Sequence, residues 1–263
     1  MNSTIDTAAR IPHEQAPVIW IAGVGASAGL GAAVARRFAQ GGFTVALTGR
    51  TVERVEAVAD EIRAAGGLAH AVAGDISTEA TVTDLATHVR GLGPLAAAVF
   101  NAGNATRAPT LELTVEQFEQ AWRISVLGGF LFAQAALRQI LNNGLDPAGP
   151  SGRGSLIFTG ATGALRGKPP FAAFAAAKAG LRSLSQSLAR EFGPQGIHVA
   201  HVVIDGGIDG ERLRQSAPQR AQQAGVDGLL QPSAIAETYW QLHQQHRSAW
   251  TQEIDLRPFR EPF

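Results

Sequence analysis

The chain is expected to fold as an α/β protein, a doubly wound parallel sheet in three layers, α/β/α. Two observations predict this. Short apolar runs alternate with helix-periodic stretches from residue 18 to residue 204. A glycine-rich turn, Gly25-Ala26-Ser27-Ala28-Gly29-Leu30-Gly31, joins the first such strand to the first helix.

The first strand is the apolar run 18–22, and helical spacing follows over 30–40, stopped by Gly41-Gly42. Residues 43–47 read as the second strand and 52–65 as an amphipathic helix closed by Gly66-Gly67. A third strand at 68–72 leads to a helix at 78–90, and a fourth strand occupies 95–100. Thr114 and Gln117 have capping-box spacing, which predicts a long helix to about residue 142. The Gly, Pro and Asn of 142–154 predict a surface loop. A fifth strand at 156–159, a helix at 171–192 and a sixth strand at 197–204 follow, with a last strand at 251–256. Residues 206–232 break the rhythm and predict a mobile flap over a site.

Composition narrows the function. The 263 residues are 45% hydrophobic and 17% charged, enough apolar material for one sizeable core. Residues 1–17 read as a flexible polar arm and 18–263 as a single domain. The formal net charge is zero, which gives no electrostatic footprint for nucleic acid. No apolar run reaches membrane-span length, and the expectation is a cytoplasmic protein with no membrane partner. There is no cysteine, hence no disulfide and no thiolate chemistry.

The glycine turn predicts a dinucleotide site. Its residues Gly25, Ser27, Ala28, Gly29, Leu30 and Gly31 would bring backbone N–H groups and a helix N-terminus to a pyrophosphate. The second strand ends at Gly49-Arg50, with no carboxylate to bind an adenosine ribose. Arg50 suits a 2′-phosphate instead, so the expected cofactor is NADP(H); the plainer reading is a solvated arginine. Asp75, with Ile76 beside it, can contact the adenine or cap the turn at Ser77. Asn101, Ala102 and Gly103 end the fourth strand and can line the groove or simply form a turn.

In the order and spacing of these landmarks, together with Lys178, the chain resembles the classical short-chain dehydrogenase/reductase family over about residues 18–207. The resemblance implies a Rossmann-type sheet of about seven parallel strands, a bound nicotinamide cofactor and a small-molecule substrate. It also implies a homodimer or homotetramer built on the long helices at 114–142 and 171–192. Carried over by position, the family's asparagine falls at Ser125, its serine at Gly160 and its tyrosine at Phe174, while Lys178 is kept. The family's Pro-Gly after the sixth strand reads Asp205-Gly206.

Those losses bear on mechanism. Reduction of a carbonyl leaves charge on oxygen that needs an acid or fixed donors, and neither a phenylalanine nor a glycine side chain supplies one. The substitutes on this reading are Lys178, Thr162 and Asp205. Lys178 can donate if burial lowers its pKa, or serve only to hold the cofactor; Asp205 can act as an acid or merely cap a turn. Asp209 and Tyr239 are weaker candidates. His198 and His201, three apart on a strand, are expected on opposite faces. His243 and His246, i and i+3 on a helix, could share a ligand, but no carboxylate completes a set; they are expected at the surface, and no metal site is expected. The chemistry is then hydride transfer to an activated C=C, an imine or a reactive carbonyl of a small hydrophobic substrate. The competing reading is a non-catalytic NADP(H)-binding protein or regulatory subunit. Gly160→Ser with Phe174→Tyr is expected to make ketone reduction appear or rise sharply.

Overall fold

The computed structural model describes residues 16–149 and 152–261. Most of the arm expected at 1–17 therefore lies outside the described residues. Ala16 is buried, and the Pro17 carbonyl accepts from the Thr44 amide at 2.9 Å, so these two residues belong to the sheet.

Seven parallel strands form one sheet: β1 (Val18–Ala22), β2 (Thr44–Thr48), β3 (Leu68–Ala71), β4 (Leu95–Phe100), β5 (Gly154–Thr159), β6 (Ile197–Ile204) and β7 (Glu253–Leu256). Their order is β3-β2-β1-β4-β5-β6-β7. Strands 1, 2, 4, 5 and 6 are buried throughout, as their continuous apolar runs require of strands covered on both faces. The order reverses between β1 and β4, which opens a crevice at their carboxyl ends.

One face carries α1 (Leu30–Gln40), α2 (Val52–Ala64) and α9 (Pro232–Gln244), whose Phe38, Val58 and Ile235 share a core with Ile21 and Val45. The other face carries α3 (Glu79–Arg90), α5 (Gly128–Leu141) and α6 (Ala172–Phe192), whose Leu85, Phe132 and Leu181 share a core with Trp20 and Phe158. The Trp20 indole N–H donates to Thr48 Oγ1 at 2.9 Å, which satisfies the polar atom of a fully buried ring.

The capping box is formed: Thr114 Oγ1 accepts from the Gln117 amide, and Gln117 Oε1 accepts from the Thr114 amide. It opens α4 (Val115–Trp122), which continues into α5 through a π-helical turn, Arg123–Leu127. The continuous helix Val115–Leu141 is long and apolar enough to cross a membrane, contrary to the expectation that no segment would be, but half of its most apolar window is buried inside the domain. The segment expected as a flap carries regular structure. It holds α7 (Glu211–Ser216) and α8 (Pro218–Gln223), and is pinned at its base by the Leu230 amide donating to the Gly207 carbonyl at 2.8 Å.

Candidate active site

The crevice at the strand reversal is built by close backbone approach. Gly23 has φ 91°, and a Cβ there would stand 2.5 Å from the Ala102 amide nitrogen. Only glycine fits, and the Asn101 side-chain amide donates across to the Gly23 carbonyl at 3.0 Å. Gly31 brings α1 down onto the same turn, since a Cβ there would meet the Gly23 oxygen at 2.9 Å. Gly25 is different: a Cβ there meets nothing within 4 Å, so that face of the turn is open.

Helix α1 starts after Gly29 with no side-chain cap, which leaves its first N–H groups free to point at an anion. Gly25, Ala28, Gly29 and Leu30 make up this turn and helix start, whose backbone N–H groups could hold a pyrophosphate. Ser27 does not contribute its hydroxyl in this arrangement, because it donates to Glu61 Oε2 at 2.8 Å beside Arg36. Arg50 is exposed at the end of β2 and pairs with no carboxylate among the described residues. Asp75 Oδ1 accepts from the Ser77 amide and hydroxyl, so the turn-capping role is formed, and Ile76 is buried beneath it. Ala102 packs against the core, and Gly103 lies against the Lys178 ammonium, 3.3 Å from where its Cβ would be.

Lys178 is 5% exposed and donates to the Thr159 carbonyl at 2.8 Å, tying α6 to the end of β5. Burial, with a smaller push from Arg212, lowers its pKa to about 8. The segment that carries α7 contacts this region. Arg212 reaches the Gly103 carbonyl at 3.4 Å and Asn104 Oδ1 at 3.5 Å, Glu211 pairs with Arg54 at 3.3 Å, and Gly210 approaches the Ala28 carbonyl.

The other proton-donor candidates are engaged with each other. Thr162 Oγ1 donates to Asp205 Oδ1 at 2.6 Å, and Asp205, 1% exposed, also pairs with Arg166 and Arg257 at 3.3 Å each. Asp205 is an ion-pair hub at the end of β6, a stronger tie than the turn cap allowed for it. Asp209 is held by Arg214 and Gln231. Tyr239 lies on the opposite face of the sheet; its hydroxyl bonds Thr159 Oγ1 at 2.8 Å, and burial pushes its pKa up. His243 is buried rather than solvated, with Nδ1 on the Ser155 hydroxyl at 2.8 Å, while His246 bonds Ser248 outside the helix. No three metal-binding side chains gather among the described residues.

At the positions where the resemblance implies a relay, Phe174 is half-buried with its ring against Gly163, and Ser125 is buried in the π-helical turn with no hydrogen-bond partner for its hydroxyl among the described residues. Gly160 has a neighbour the sequence reading missed. A Cβ at Gly160 would stand 2.3 Å from Nε2 and 2.5 Å from Cε1 of His201. The imidazole fills the space of the absent side chain. Its Nδ1 bonds Glu253 Oε2 at 2.9 Å, and Arg182 grips both Glu253 oxygens at 2.6 Å. His201 Nε2 is buried and has no partner among the described residues.

The fold is shared with known proteins. Residues 19–221 match the short chain dehydrogenase family, and the chain belongs to it. It is 39% identical over 178 residues to the short-chain dehydrogenase/reductase eriH of Hericium erinaceus, covering 66% of this chain and 68% of that one. It is 33% identical over 186 residues to glucose 1-dehydrogenase of Gluconobacter oxydans, covering 70% of this chain and 67% of that one. Among solved structures it is similar to a short-chain dehydrogenase from Rhodopseudomonas palustris, at 36% identity and TM-score 0.77, covering 94% of this chain and 100% of that one. The actinorhodin polyketide ketoreductase with NADPH shares the fold at 22% identity and TM-score 0.82, covering 96% of this chain and 100% of that one. The chain is thus an oxidoreductase-family protein with a nicotinamide-binding fold.

Proposed function

We propose that the chain is an NADP(H)-dependent reductase that delivers hydride to an activated C=C, an imine or a reactive carbonyl of a small hydrophobic substrate. The observation that carries this is the pairing of Phe174 with Lys178 on one helix turn: the lysine is kept and buried beside Gly103, while the position beside it has no ionisable group. Gly25, Ala28, Gly29 and the start of α1 would hold the pyrophosphate, Arg50 a 2′-phosphate, and Asn101 and Lys178 the nicotinamide half. When bound, the cofactor supplies a hydride. Phe171 and Phe174, with ring centroids 6.4 Å apart, present an apolar wall that favours a nonpolar substrate and excludes water. The protein would be cytoplasmic and act as a homodimer or homotetramer.

A non-catalytic NADP(H)-binding role is favoured by one observation, the engagement of Thr162 and Asp205 with each other and with arginines, which leaves neither free to act on a substrate. Two measurements separate the readings. NADPH binding followed by fluorescence should be tight on both; oxidation of NADPH in the presence of enones, imines and reactive ketones should occur only for the reductase. Binding with no turnover of any class leaves the regulatory role, and no binding removes both.

A further inference from the structure

We propose that His201 is the group that handles the proton at the reacting atom, its Nε2 taking the place of the side chain that Gly160 lacks. The proposal rests on the reductase reading above. Three independent features converge on it. First, the imidazole lies where a side chain at the end of β5 would project, 2.3 Å from that Cβ position. Second, Nε2 has no hydrogen-bond partner among the described residues although His201 is fully buried. A buried nitrogen left without a partner is unfavourable unless a ligand meets it. Third, the ring is oriented by a complete supporting chain: Nδ1–H donates to Glu253, which Arg182 holds in a two-point clasp. A base steadied through its far nitrogen by a carboxylate is the arrangement that acyl-transfer enzymes use to aim an imidazole and to stabilise the imidazolium. Here the carboxylate comes from β7, directly opposite His201 across the strand pair.

With a reduced nicotinamide bound, the cofactor would supply hydride to the substrate carbon; as the π pair of C=O moves onto oxygen, the imidazolium would give its Nε2 proton to that oxygen. Neutral imidazole remains, with Nδ1–H on Glu253, and takes a new proton from water. In the alcohol-oxidising direction, neutral Nε2 removes the hydroxyl proton. An iminium substrate accepts hydride with no proton transfer and does not need the group.

The charged groups facing the ring are Glu253 on β7, and Lys178 and Arg182 on α6. Burial pushes the His201 pKa below its usual 6.5; Glu253 opposes this, and Lys178 and Arg182 add to it. Arg182 in turn holds Glu253 below the usual carboxylate range. Reduction through the imidazolium is therefore lost as pH rises through the folded-state pKa.

The experiment compares wild type, His201→Gln and Glu253→Gln for NADPH oxidation by isatin, a reactive ketone, by cyclohexenone and by N-methyl dihydroisoquinolinium, an iminium. NADPH dissociation constants and imidazole nitrogen NMR spectra are recorded on the same proteins. His201→Gln should lower isatin reduction about a hundredfold. It should abolish the pH limb and leave both the iminium rate and the NADPH dissociation constant within about twofold. Glu253→Gln, which removes the group that raises the His201 pKa, should move the limb to lower pH. The spectrum should show His201 protonated at Nδ1. Isatin reduction by His201→Gln within about threefold of wild type with the same pH profile overturns the proposal and spares the reductase reading. So does wild-type turnover of the iminium or the enone without isatin, or equal loss on isatin and the iminium. Turnover of none of the three by wild type overturns both.

Discussion

His201 occupies the space that a side chain at Gly160 would need, its Nε2 2.3 Å from the Cβ position. Gly160 directly follows β5 and His201 lies on the neighbouring strand β6, and the two are one unit: the glycine makes room and the imidazole uses it. The consequence is that restoring a serine at residue 160 does not simply return the family's usual chemistry. Gly160→Ser should destabilise by about 1–3 kcal/mol through overpacking, read as a lowered Tm. Gly160→Ser with Phe174→Tyr should gain little ketone reduction, and adding His201→Val should release it. This revises the expectation that two substitutions suffice. Equal gain from the double and triple variants would show that His201 is not in the way.

Lys178 carries a linkage signature. Its folded pKa, about 8, lies below the unfolded value of 10.5, so the unfolded chain binds more protons between these two pH values. The burial penalty is present in full below about pH 8 and is relieved as pH rises toward the unfolded value, with a size of the order of 3 kcal/mol. Lys178→Met, measured without cofactor by denaturant unfolding, should be more stable than wild type near neutral pH. The gain should shrink above about pH 8, and a pH-independent difference would refute the shift.

How much of this was legible in the sequence depends on the range of the interaction involved. Strand β6 was read from its continuous apolar run, and its bounds agree with the structure because burial on both faces leaves no alternation to misread. The capping box at Thr114 and Gln117 was equally local. The π-helical turn at Arg123–Leu127 was not legible, since a one-residue change in hydrogen bonding barely alters apolar spacing over so short a stretch. His201 was placed correctly on the face opposite His198, but its neighbour Gly160 follows only from the β5–β6 register, in which Thr159 pairs with Val202. The Asp205 hub needed Arg166 and Arg257 to arrive from distant segments. His243 was placed on a helix but read as a surface residue, because the packing of α9 on α1 is a long-range contact that its local spacing does not reveal.

Arg50 tests the cofactor preference. Exposed at the end of β2 and without an ion-pair partner among the described residues, it would bond a 2′-phosphate that NADH lacks. Arg50→Ala should weaken NADPH about tenfold to a hundredfold and NADH within about threefold. Equal weakening of both, by fluorescence titration, would remove the phosphate role.

Val115, Phe118 and Trp122 form an exposed apolar stripe on α4, with Phe130 exposed on α5. A face of this kind, on the long helix where the resemblance places the subunit contact, should be covered in solution. Trp122→Glu should shift the protein toward monomer in sedimentation velocity while leaving its Tm within a few degrees. A monomeric wild type would contradict the oligomer.

On the reductase reading, hydride leaves a nicotinamide in this crevice although Phe174 supplies no acid. The direct measurement is mass spectrometry of product formed with NADPH deuterated at the transferring nicotinamide carbon, using a reactive ketone, an enone and an iminium. Deuterium on the product carbon, with stoichiometric oxidation of the cofactor, is the result expected. Bound cofactor that stays reduced, with no label in any product, would contradict it.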